Sequence, residues 1–168
     1  MRGNSRVHIL QDFDGGKNMS QTLKETKTFN SHKLHKAWLK ITAVIVGSFS
    51  PIFFFGTMLA TSEPARWTLD FLSWPLDGTQ TYASPETRFL SAVTGGFLLG
   101  WGVMIWCLSV WVYDSAPNAV RKSVLIGILA WFVLDSAGSI ASETSSNAIF
   151  NIFVLFLAIG PLWRPAQE

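Results

Sequence analysis

From Ile41 onward the chain alternates long uncharged apolar runs with short polar breaks. Ile41 to Ala60, Phe89 to Tyr113 and Thr144 to Trp163 contain no charged side chain, and Ser123 to Ser142 contains one, Asp135. A helix needs roughly 20 apolar residues to cross a bilayer core about 30 Å thick. The pattern therefore predicts an all-α fold, a four-helix transmembrane bundle with spans over 41–60, 89–113, 123–142 and 144–163. The third span has to be weighed. Its nine Val, Leu, Ile and Phe residues each favour insertion by roughly 0.3–0.6 kcal/mol, against at most about 3 kcal/mol for Asp135. It inserts with little margin.

The polar breaks set the orientation. Lys33, Lys36, Lys40, Arg121, Lys122 and Arg164 flank the spans on one side, and only Arg66 and Arg88 on the other. Basic residues near span ends stay in the cytoplasm, so both termini are expected there. Were span three to remain outside the bilayer, Arg164 would change sides; the charge pattern thus favours four crossings independently of length. The first apolar run lacks a small-x-small cleavage site and reads as a retained span rather than a signal peptide.

Residues 1–36 are polar and show no sustained apolar period, and Met19 is as good a start as Met1. They are expected to form a disordered cytoplasmic tail ahead of a membrane domain over 37–165. His32 to Lys40, with Trp38, reads as an anchor to anionic headgroups. In the first outer connection Trp67, Phe71 and Trp74 recur at helical spacing beside Arg66 and Asp70. Pro75 and the Asp77-Gly78 turn follow. A short helix lying in the interface is predicted, with those three aromatics as its anchors. Trp67, Trp74 and Tyr82 would form the outer aromatic belt, opposite Trp38, Trp111, Tyr113 and Trp163. Short turns at Asp114–Lys122 and near Glu143 should make spans two, three and four antiparallel neighbours.

Inside the spans two features stand out. Ala92, Gly96 and Gly100 form a strip of small residues at intervals of four, which allows close helix packing; another span of this chain is the default partner, a second copy the alternative. Asp135 and Ser139 on span three should meet Asn147 and Asn151 on span four at matching depth, with Arg88 able to snorkel toward them. A carboxylate in lipid must find donors, neutralise or reach water. The cluster then either fixes the register of two helices or lines a cavity for a proton, a cation or a polar substrate. Pro51 should kink span one, with Ser48 and Ser50 near the freed carbonyl.

Composition narrows the chemistry. With 49% hydrophobic and 14% charged residues the chain is too apolar for a soluble domain of its length. All three histidines (His8, His32, His35) precede the first apolar run, and Cys107 is the single cysteine, so no haem or metal ligand set is legible and no cofactor is expected. Gly15-Gly16-Lys17-Asn18 lacks the spacing of a phosphate loop, and there is no HExxH, catalytic dyad or intramembrane lysine.

Thr61-Ser62-Glu63-Pro64, Arg88-Phe89-Leu90, Gly100-Trp101-Gly102, Asp135-Ser136-Ala137-Gly138-Ser139 and Gly160-Pro161-Leu162-Trp163 resemble a group of short uncharacterised bacterial membrane proteins of the BphX-like kind. The resemblance covers about residues 37–165. It implies a bacterial inner membrane and carries no catalytic residue. The leading expectation is a non-enzymatic accessory or structural bundle, with the bilayer and a second copy or another membrane protein as partners and no nucleic acid. The alternatives are a small transporter or proton-coupled carrier using Asp135, and a membrane enzyme acting on a lipid or quinone, for which only the aromatic outer segment speaks.

Overall fold

The structure, a computed structural model, describes residues 5–165, with side-chain surroundings for 19–23 and 30–165; Met1 and the other ends of the chain lie outside the described residues. Six α-helices follow in order: α1 (Ser5–Ser48), α2 (Ser50–Phe55), α3 (Glu63–Ser73), α4 (Pro85–Cys107), α5 (Pro117–Ala141) and α6 (Ser145–Ile159). A π-helical turn, Leu108–Val112, extends α4, and a 3-10 turn, Gly160–Trp163, extends α6. Among the described residues four stretches are long and apolar enough to cross a membrane: Asn30–Phe55, Pro85–Val112, Pro117–Ala141 and Ser145–Trp163. Most of their apolar side chains point outward, Phe97, Trp111, Leu134 and Phe156 each being more than 70% exposed. Such a surface is stable only in lipid, so the chain is an integral, multi-pass membrane protein.

The boundaries follow from local chemistry. α4 opens with Ser84, whose hydroxyl accepts the Thr87 N–H, and with Pro85 in the first turn, where a missing N–H costs nothing. Pro117 does the same for α5. Pro51 separates α1 from α2 at Phe49, and the Ser48 hydroxyl donates to the Ile45 carbonyl at 2.8 Å in the last turn of α1. Span one then ends at Gly56, earlier than the expected residue 60. Gly56 lies under Ser91 and Tyr82, where a Cβ would come within 2.6 Å of the Ser91 hydroxyl.

At the other end of span one α1 runs on without a break back to Ser5. No proline interrupts residues 1–50, and once the span nucleates a helix each added residue needs only one more hydrogen bond.

The spans form two hairpins. Spans one and two pack along their length, as do α5 and α6. Spans two and three, expected to be full neighbours, meet chiefly in the half where the turn joins them, with Trp101 against Trp131 at 6.1 Å between ring centres. That half holds the core of Leu39, Ala43, Ile105, Tyr113, Val120, Val124, Ile128 and Leu162. It lies at the end carrying His32–Lys40, Arg121 and Arg164, called here the basic end.

At the opposite end α3 ties the hairpins together. Phe71 meets Phe150 edge to face, and the Ser146 hydroxyl donates to the Leu72 carbonyl at 2.6 Å. The expected short helix is thus present, ending one residue before Trp74. Trp67, Phe71 and Trp74 remain about half exposed or more, as anchors require. Arg66 pairs with Glu63 rather than lying free beside Asp70. Asp70 is buried and receives the Gly78 N–H, closing the Asp77-Gly78 turn.

Candidate functional site

The turn between α5 and α6 is tight. Glu143 takes a left-handed backbone (φ 62°), and the Thr144 N–H returns to the Ser139 carbonyl at 2.8 Å. Asp135 therefore faces Asn147 and Asn151 across the hairpin. Its Oδ2 accepts from the Asn151 amide at 2.6 Å and from the Asn147 amide at 2.9 Å. The same amides reach the Ser136 hydroxyl at 3.2 Å and the Ser139 hydroxyl at 2.8 Å, and Ser139 donates to the Asp135 carbonyl at 2.7 Å. The structure thus brings together Asp135, Ser139, Asn147 and Asn151, and adds Ser136. Asn151 is buried and Asp135 half-buried. Chemically this is a carboxylate supplied with neutral donors by the chain itself, which satisfies the requirement that polar groups in lipid be bonded.

Arg88 does not join the ladder. Its guanidinium turns back to the Tyr82 and Ala83 carbonyls, at 3.1 and 2.6 Å, at the start of α4. Those carbonyls lie within reach of a side chain that starts at the helix end, and α4 belongs to the other hairpin.

The small-residue strip is corrected too. Ala92, Gly96 and Gly100 pack against no span of this chain: they face outward, and a Cβ at Gly96 or Gly100 would meet open space. The helix contact uses Gly95 and Gly102 instead, seven apart on a different face. A Cβ at Gly102 would come to 2.7 Å from the Ala43 carbonyl oxygen and 2.9 Å from the Gly47 nitrogen; at Gly95 it would come to 3.1 Å from the Ser50 carbonyl oxygen. Ser91, on the same side as Gly95, donates to the Phe53 carbonyl at 2.7 Å, close to where span one ends.

A second polar cluster, at the basic end, was not anticipated. His35, Tyr113 and Arg121 are buried there, at 1%, 0% and 8% exposure. Arg121 donates to the Leu162 carbonyl at 2.9 Å, and Trp38 to the Ala158 carbonyl at 3.3 Å, fastening the end of span four to its neighbours. Three atoms of this cluster, His35 Nδ1, the Tyr113 hydroxyl and Arg121 Nε, are buried without a hydrogen-bond partner. Burial pushes the Tyr113 phenol up to about 12, so it stays protonated at any physiological pH. Tyr113 thus leaves the expected inner belt for the interior and Trp38 is partly buried against the core, whereas Trp111 and Trp163 remain outside; Tyr82 likewise leaves the outer belt. A signal was available, since His35, Leu39 and Ala43 recur at intervals of four and all face inward.

On the surface of this cluster Asp114 bonds Lys36 and lies 3.7 Å from His32. The Lys36 ammonium holds the Asp114 carboxyl below its usual 3.8. The bond is therefore complete above that value and is lost as pH falls through the lower folded-state value. An Asp114→Asn chain should lack this acid step when the environment of Trp38 is followed by fluorescence from pH 6 to about pH 2; an identical step in both chains would exclude Asp114 as its source.

No family model, no curated protein and no solved structure matches the chain.

Proposed function

We propose that this protein is a non-enzymatic accessory or structural component of the bacterial inner membrane, with both termini cytoplasmic, and that it works by pairing with a second copy of itself through the outward strip of α4. The observation that carries the reading is the open space above Gly96 and Gly100, with Ala92 beside them and Val93, Phe97 and Met104 as flanking walls. In lipid an apolar face has no reason to avoid its surroundings, so helices associate where small residues let their backbones approach. A strip of this kind is complementary to itself, and a second copy presents the same strip across a two-fold axis. The excess of Lys and Arg at the basic end supports the orientation, and the BphX-like resemblance supports the bacterial setting.

The carrier reading of Asp135 has less behind it, because its carboxylate is already bonded by α6.

Single cysteines placed at 92, 96 and 100 in a Cys107→Ser background should cross-link between copies in bilayers, and cysteines at 94 and 98, on the opposite face of α4, should not. Gly96→Leu with Gly100→Leu should abolish the dimer while leaving the monomer folded. Uniform cross-linking around α4, or none, would sink the proposal.

A further inference from the structure

Among the described residues, the basic end contains a charge without a counter-charge. Arg121 is 8% exposed, it donates to the neutral Leu162 carbonyl, and its Nε has no partner. Asp114, the acid nearest in sequence, is exposed and bonded to Lys36. Buried guanidinium groups are otherwise paired with anions, because a lone charge in a low-dielectric setting is strongly disfavoured. Among the described residues no carboxylate supplies that pair.

We propose that the cluster of Arg121, His35 and Tyr113 receives a phosphate group, carried by the headgroup of an anionic phospholipid or by a free phosphate species. Two of the three unpartnered atoms suit an oxyanion. Arg121 Nε–H and the Tyr113 hydroxyl donate to oxygen, and a guanidinium matches phosphate better than any other side chain does. His35 Nδ1 lies unpartnered in the same cluster.

Depth agrees with chemistry. Counting about 20 residues back from the end of span one at Phe55 puts the edge of a hydrocarbon core about 30 Å thick near residue 36, so His35 lies at that edge, next to the level of lipid phosphates. Lys36, Lys40, Lys122 and Arg164 flank the spans at this same end and add the positive potential that draws anionic lipid. The residual exposure of Arg121 marks the side from which the group enters.

The full chain, purified in neutral detergent and stripped of lipid, is titrated separately with phosphatidylglycerol, phosphatidylcholine and inorganic phosphate, and read by native mass spectrometry and thermal stability. One bound phosphate-bearing molecule is expected. Arg121→Gln should weaken its retention at least about tenfold, as loss of a charge-assisted bond requires. Tyr113→Phe should weaken it several-fold, while the lipid-free variant is at least as stable as the parent, since the hydroxyl it loses has no partner there. That second variant keeps the test sound if Arg121→Gln does not fold. Binding of phosphatidylglycerol or phosphatidylcholine identifies the headgroup as the source, and binding of inorganic phosphate alone identifies the free species; each supports the site. Three results overturn it: no binding of any of the three probes, equal binding by parent and variants, or the Arg121→Gln phenotype reproduced by removing residues 166–168. The last would make the counter-anion a carboxylate of the chain itself.

Discussion

Replacing Gly102 by alanine is expected to force spans one and two apart and to lower stability by about 1–3 kcal/mol, the usual cost of overpacking. The added Cβ would come to 2.7 and 2.9 Å from backbone atoms of Ala43 and Gly47, which cannot swing away as a side-chain tip can. Alanine at Gly96, six residues earlier on the same helix, meets open space and should leave the isolated chain unchanged. Reversible unfolding in mixed micelles distinguishes the two positions. Equal stabilities would mean that α1 and α4 are not held at backbone contact, and the account of the first hairpin would fail. The comparison also separates the two roles of glycine in this helix: Gly95 and Gly102 build the hairpin, whereas Gly96 and Gly100 are left for a partner.

Asp135 should show opposite effects in two assays. Asp135→Leu removes a residue costing up to about 3 kcal/mol for insertion and adds one that favours it by roughly 0.5 kcal/mol. The segment 117–141, fused into a translocation reporter, should therefore insert more efficiently. In the folded protein the same substitution deletes the acceptor shared by Asn147 and Asn151. The amides keep weaker partners in Ser139 and Ser136, so the loss should stay near 1–2 kcal/mol, the range of interhelical hydrogen bonds in membranes. Asn151→Leu should cost a similar amount without the gain in insertion. If Asp135→Leu left unfolding unchanged, the ladder would not be holding α5 to α6, and a role in conduction or proton transfer would return as the better explanation of a carboxylate at that depth.

Much of the architecture was legible because a bilayer imposes its thickness on composition. An uncharged run of the right length has few alternatives to a spanning helix, so four spans and an all-α fold follow from residue order alone. The outer helix was legible for a related reason: aromatic residues at helical spacing followed by Pro75 have one simple solution. The Asp135 ladder was legible because a short turn forces equal depths onto residues equally far from it.

Side-chain direction around a helix was harder to read. In water an apolar face turns inward, but in lipid both faces are apolar, and hydrophobicity no longer tells core from surface. Hence the strip of Ala92, Gly96 and Gly100 looks from the sequence as suited to internal packing as Gly95 and Gly102, and only the rotation of α4 against α1 decides between them. Arg88 shows the same loss of information, since a long side chain at a span end can turn either way and the nearest carbonyls win.

Residue order alone settles how many times the chain crosses, where it turns, and that Asp135 must be bonded to something. Tertiary structure alone decided that Asp135 is bonded by α6, that the α4 strip is free, and that His35, Tyr113 and Arg121 meet in the interior. The reason is physical: span length and charge asymmetry are properties of one segment against a slab, whereas a buried cluster of side chains from three segments exists only once their rotations and tilts are set by packing.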